Sequence, residues 1–147
     1  MPRVLHNGTG TVSLTNLEYL NLMKMLHRSG WRPSGTLAPA GWKPRRRKDG
    51  TTGKWPRMNY FSRLGQTVTE TDAAAMADVL EAILPDVPDH DAFGHKVNQV
   101  IDLPYRRAVR LPRPGVRYNA FEFFSGENRV LLTEFVKLCR AGEFQIT

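Results

Sequence analysis

Five cations occupy six consecutive positions, Lys43, Arg45, Arg46, Arg47 and Lys48, with Trp42 just before them and Trp55 after. Lysine and arginine neutralise phosphates and carboxylates, and an indole ring stacks on an unpaired base. These residue types so close together suit an anionic partner, either an acidic protein surface or a nucleic acid. Lys54 and Arg57 extend the candidate site. All three tryptophans (Trp31, Trp42, Trp55) and nine of the 21 Lys and Arg residues lie between Trp31 and Arg63. Asp49 is the one acid there, so that stretch carries +8, against +7 for the whole chain. A second basic block holds Arg106, Arg107 and Arg110, then Arg113 and Arg117, with no acid among them. The middle of the chain has the opposite sign. Positions 66–104 hold eight acids and one base, Lys96, and could neutralise part of the basic flanks within the fold.

Other chemistry fits the residues poorly. Lys48 to Trp55 superficially resembles a phosphate-binding loop, but that motif needs glycine at 48 and a hydroxyl residue at 55. Gly8-x-Gly10-x-x-Ser13 is a faint dinucleotide fingerprint and reads more simply as a tight turn before a helix. Ser125 lacks the flanking glycines of a nucleophile elbow. Asp91 and His95 stand four apart, which is half a zinc site. Asp86 and Asp89 sit in an acidic turn without the rigid support that acid–base work requires. No catalytic residue, metal site or cofactor is expected.

The elements that must position the basic stretch are legible in part. Leu14, Leu17, Leu20, Met23 and His27 repeat at three- and four-residue steps, which marks a first helix. Thr15 and Glu18 have capping-box spacing. Gly30 falls where a left-handed residue ends a helix, and Trp31 follows as its apolar contact. A second helix begins at the Thr69/Asp72 capping pair, buries Ala73, Met76, Ala77, Leu80, Ile83 and Leu84, and stops at Pro85. Phe93, Val97, Val100 and Ile101 would share the face of a third helix, weakened by Gly94. The last helix is expected to start at Ser125 as N-cap, bury Leu131, Leu132, Phe135, Leu138 and Cys139, and end at Gly142. Strands are expected at Met58–Phe61, Val116–Phe124 and Phe144–Ile146, with Val4–His6 as a further one. The segment from Tyr105 to Leu111 reads as an edge strand, since Pro112 and Pro114 bar a central place. Positions 38–57 show no apolar periodicity and form a long basic loop, of a length that is usually functional or disordered.

A chain of 147 residues is one domain by the usual size prior. Its one cysteine, Cys139, excludes an internal disulfide and fits a reducing compartment. No apolar run approaches the roughly 20 residues that cross a membrane, and positions 1–10 lack the apolar core of a secretion signal. The expected setting is a bacterial or phage cytosol.

Four markers occur in order: Gly30-Trp31-x-Pro33-x-Gly35-Thr36, Asn59-Tyr60-Phe61-Ser62, Gly65-Gln66-x-Val68 with Asp72-Ala73, and Phe135-x-x-x-Cys139-Arg140-Ala141-Gly142-x-Phe144-x-Ile146. In these the chain resembles a group of small, uncharacterised bacterial proteins. The resemblance implies a shared fold and carries over no catalytic residue. It omits the basic loop and the region from Tyr105 to Arg117.

The sequence thus leads to a single α+β domain with three or four helices on a small, mainly antiparallel sheet. The function expected first is a non-enzymatic binding module whose basic loop meets an acidic partner. The second is nucleic-acid binding through that loop and the Arg106–Arg117 block. An enzyme of unknown type comes third.

Overall fold

The computed structural model describes residues 2–102 and 108–147. Alternation of apolar and polar side chains builds the first hairpin. Strands β1 (Arg3–His6) and β2 (Thr11–Leu14) pair antiparallel, with Leu5, Val12 and Leu14 turned into the core. Asn7 closes the turn, its side-chain oxygen accepting the N–H groups of Thr9 and Gly10 at 2.9 Å each. Helix α1 (Asn16–Arg28) opens on a complete Thr15/Glu18 capping box. It ends as the Gly30-Trp31 pair implies. Gly30 takes φ +104°, its N–H reaches His27 O at 3.3 Å, and Trp31 N–H reaches back to Leu26 O at 3.0 Å.

The two-residue strand β3 (Thr36–Leu37) and strand β4 (Gln66–Val68) flank the basic loop. Helix α2 (Glu70–Ile83) is capped by Thr69, whose hydroxyl accepts Asp72 N–H. Strands β5 (Val97–Ile101) and β6 (Val109–Pro112) form a separate antiparallel hairpin. The short helix α3 (Ala120–Phe123) and helix α4 (Arg129–Arg140) precede the last strand, β7 (Phe144–Ile146). The main sheet runs β2-β1-β7-β4-β3, every neighbour antiparallel. The chain is therefore α+β, with four helices among the described residues. One sheet face gives Leu5, Val12, Val68, Phe144 and Ile146 to the helical core. The other face exposes Thr11, Ser13, Leu37 and Gln145. None of the described helices is long and apolar enough to cross a membrane.

Three expected elements differ. Residues 58–61 are a turn and bend, not a strand. Asn59 N–H bonds Pro56 O at 3.0 Å, and Ser62 N–H bonds the Asn59 side chain at 3.1 Å. The aromatic pattern there reflects burial of Tyr60 rather than a ladder. Residues 116–124 hold helix α3 instead of a strand. Asn119 accepts Glu122 N–H at 2.8 Å and nucleates the turn. Tyr118 and Phe123 then pack on Phe93, and Phe124 packs on Phe123, so tertiary burial overrides β-propensity. The third helix shrinks to a 3₁₀ turn at Gly94–Lys96 before β5. Asp91 lies so close beneath Gly94 that an added Cβ would stand 2.5 Å from its carboxylate. Ser125 serves as a bracket rather than a cap. Its hydroxyl accepts Ala92 N–H at 2.9 Å and donates to Glu122 O at 2.6 Å. The described part of the expected edge strand, from Val109 on, is indeed a strand in a two-stranded hairpin.

Candidate functional site: the basic loop

The loop departs from β3 and returns to β4, so its ends meet at one edge of the sheet. Thr36 ties them together. Its N–H donates to Arg57 O at 2.6 Å. Its hydroxyl faces the carbonyls of Arg57 and Asn59, at 3.1 and 3.2 Å, and accepts Trp55 Nε1–H at 3.1 Å. Arg57 crosses back, donating from Nη2 to Ser34 O at 2.8 Å. Gly35, at φ +119°, permits that approach, because a Cβ there would lie 3.1 Å from Arg57 Nε. Arg57 is thus a strut of the loop base.

Beyond the base the chain is organised as a hairpin. Arg46 and Thr52 form an antiparallel bridge. On either side, Gly53 N–H bonds Arg45 O at 3.0 Å and Arg47 N–H bonds Thr51 O at 2.7 Å. Gly50, at φ +86°, turns the tip. Asp49 braces it, accepting from the N–H and hydroxyl of Thr51 at 3.0 and 2.6 Å. The Thr51 hydroxyl bond, with the backbone bond beside it, holds the Asp49 carboxyl below its ordinary range. Trp42 and Trp55 meet edge to face, with centroids 5.4 Å apart, and both are half-buried. Lys43, Arg45, Arg46, Arg47, Lys48 and Lys54 are exposed, and none forms an ion pair among the described residues.

No known protein family, no curated protein and no solved structure matches this chain. Its chemistry is therefore read from the site itself.

The second basic block is not continuous with this loop in character. Arg106 and Arg107 lie outside the described residues. Arg110 is committed to the fold: it pairs with Asp91 and lies 5.5 Å from the Phe93 ring centroid. Burial pushes the Asp91 carboxyl up, but the Arg110 contacts outweigh it and the group titrates below its ordinary range. The acidic face of α2 also has its own partner. Asp78 and Glu81 bind Arg140 of α4 at 2.6 and 2.8 Å, and no loop cation joins them.

Sequence reasoning missed what lies beneath the loop. Asp72, 2% exposed, accepts Ser34 N–H at 3.0 Å, the Ser34 hydroxyl at 2.8 Å and the Tyr60 hydroxyl at 2.5 Å. Tyr60 in turn accepts Gly35 N–H at 2.8 Å, and its carbonyl accepts the Tyr19 hydroxyl. Gln66, fully buried, donates to Asn59 O and Ser62 O and accepts Leu64 N–H. The legible signal was a polar residue on the buried side of each element. Asp72 falls one position before the apolar stripe of α2, and Gln66 alternates with Val68.

Other reactive groups are out of reach. Cys139 is 2% exposed, and burial pushes its thiol well above the ordinary range. A thiol reagent such as DTNB is expected to leave the folded chain unlabelled, and to label one equivalent in denaturant. Rapid labelling of the native state would contradict the packing. Among the described residues no three His, Cys, Asp or Glu side chains gather as metal ligands would.

Proposed function

We propose that this chain is a non-enzymatic binding module that presents the Trp42–Trp55 hairpin to an acidic protein surface. One observation carries the reading. Six cations stand exposed and unpaired on a segment that Thr36, Trp55 and Arg57 hold in place. Exposed cations close together repel one another, and a partner's carboxylates relieve that repulsion. A braced hairpin loses little freedom on binding, which favours affinity. Nucleic acid is the second reading, since phosphates would answer the same charges. The tryptophans favour the protein partner: their rings pack on each other and Trp55 spends its N–H on Thr36, so neither is offered whole for stacking.

The test is affinity capture from native lysate with the full chain and with K43Q/R45Q/R46Q/R47Q/K48Q/K54Q. A protein retained by the parent, lost with the variant and indifferent to nuclease is the expected result. Identical recovery by both chains would dismiss the hairpin as the contact. Capture abolished by nuclease would transfer the site to nucleic acid.

A further inference from the structure

A second concentration of positive charge lies on helix α1, away from the loop in sequence. Asn21, Lys24 and Arg28 follow at three- and four-residue steps and so share one stripe of the helix. Opposite them runs the segment leading into α3. Together with Arg117, Tyr118 and Asn119 they line a cleft of about 330 Å³. No carboxylate lines it among the described residues. Lys24, Arg28 and Arg117 are exposed and form no ion pair among the described residues.

The cleft is built rather than incidental. Lys96 fixes its far wall, its ammonium bridging Arg117 O at 2.8 Å and Glu122 at 2.6 Å. That Lys96 contact holds the Glu122 carboxyl below its ordinary range. Asn119 is fixed by capping α3, and Tyr118 stacks on Phe123 at 6.0 Å. Asn21 is buried to 4% exposure, its amide nitrogen donating to Leu17 O at 2.9 Å. A stable helix surface would place an acid four residues from Lys24. Arg28 stands there instead, and like charges at that spacing repel. Arg117 adds a third. Three cations around a concavity with no acid of their own form a site that lacks its counter-charge.

We infer that this cleft binds a phosphate-bearing anion, with Lys24, Arg28 and Arg117 on the phosphate oxygens. Its volume is at the lower end for ligand sites, about 300–1,000 Å³, so it admits a phosphate or diphosphate group with little else enclosed. Arginine and lysine together suit that charge, the guanidinium supplying paired donors and the ammonium a point charge. The group could belong to a free small molecule or to the end of a nucleic-acid strand. The inference is independent of the loop reading, because no residue is shared.

The experiment is amide chemical-shift mapping on the full chain at about 0.1 M salt, where the Debye length is about 10 Å and diffuse attraction is screened. Three probes are titrated separately: inorganic pyrophosphate, a nucleoside diphosphate and a 5′-phosphorylated single-stranded oligonucleotide. Saturable shifts centred on 21–28 and 116–120 are expected with pyrophosphate. K24Q/R117Q should weaken that binding about tenfold or more, as expected when charge-assisted bonds are lost. The six-cation loop variant should leave it unchanged. Thermal melts of K24Q/R117Q, both sites being exposed, report whether it is folded. Tighter binding of the nucleoside diphosphate assigns a small-molecule source, and tighter binding of the oligonucleotide a strand end. Linear, unsaturated shifts, or shifts centred on 43–54, would overturn the site. So would an affinity that K24Q/R117Q does not change.

Discussion

Replacing Asp72 by alanine lowers stability by about 3–5 kcal/mol, since each hydrogen bond to a buried charge is worth about 1.5–3 kcal/mol and orphaned donors add to the loss. The carboxylate accepts from Ser34 twice and from Tyr60 once, at the start of α2. Alanine leaves the Tyr60 hydroxyl buried without an acceptor and frees the part-buried Ser34 N–H. A domain of this kind has about 5–15 kcal/mol in all, so the variant stands near the edge of folding. Tyr60→Phe is milder, about 1–3 kcal/mol, because it removes one bond to Asp72 and one from Gly35 N–H but keeps the ring against Trp31. Burial first, and then the Asp72 bond, hold the Tyr60 phenol far above its ordinary range, so it donates at every working pH. Urea titrations of the two single variants and the double variant give the coupling, expected at about 1–3 kcal/mol for directly bonded partners. Losses below about 1 kcal/mol for Asp72→Ala would mean that solvent reaches the pair.

The network explains why some of the fold was legible in the sequence and some was not. Helix ends were readable because capping is local: Thr15 needs only Glu18, and Gly30 needs only the turn behind it. Strands β1 and β7, both inside the sheet, were readable from short apolar alternation. The 58–61 segment was misread because Met58, Tyr60 and Phe61 carry strand-like composition for a tertiary reason. Tyr60 faces inward to serve Asp72, twelve positions away, while Met58 and Phe61 remain 58% and 48% exposed. The same holds for 116–124, where the aromatic run fills a cluster around Phe93. No local propensity encodes which partner a ring will meet. The loop charge was obvious in sequence, but its order was not. The bonds that brace it, from Thr36 and Trp55, span 19 residues, and the bridge from Arg46 to Thr52 shows no alternation. The α1 cleft needed three dimensions, because Lys24 and Arg117 are far apart in the chain and only packing brings them to one cavity.

Trp31→Ala is expected to cost about 3–5 kcal/mol, the range for truncating a large aromatic side chain in a core. Trp31 is 1% exposed, with its ring 5.2 Å from Tyr60 and 5.0 Å from His27. Its backbone N–H completes the stop of α1, and that bond survives any side chain. The loss is therefore one of packing, not of helix termination. Trp31→Phe separates the two contributions. It keeps part of the ring contact and removes an indole N–H that has no partner among the described residues. A buried donor without an acceptor carries a penalty of about 1–3 kcal/mol, so phenylalanine should recover at least half of the alanine loss. Equal destabilisation by both substitutions in a urea titration would show that the indole N–H is satisfied, by solvent or otherwise. The hairpin cations offer an internal control. Trp31 packs on His27 and Tyr60, outside the 42–55 hairpin, so folded Trp31→Phe should keep the full affinity of the hairpin for its acidic partner. Loss of that affinity would make the helix stop part of the binding site, and the division between a fold-bearing Trp31–Thr36 turn and a partner-bearing 42–55 hairpin would fail.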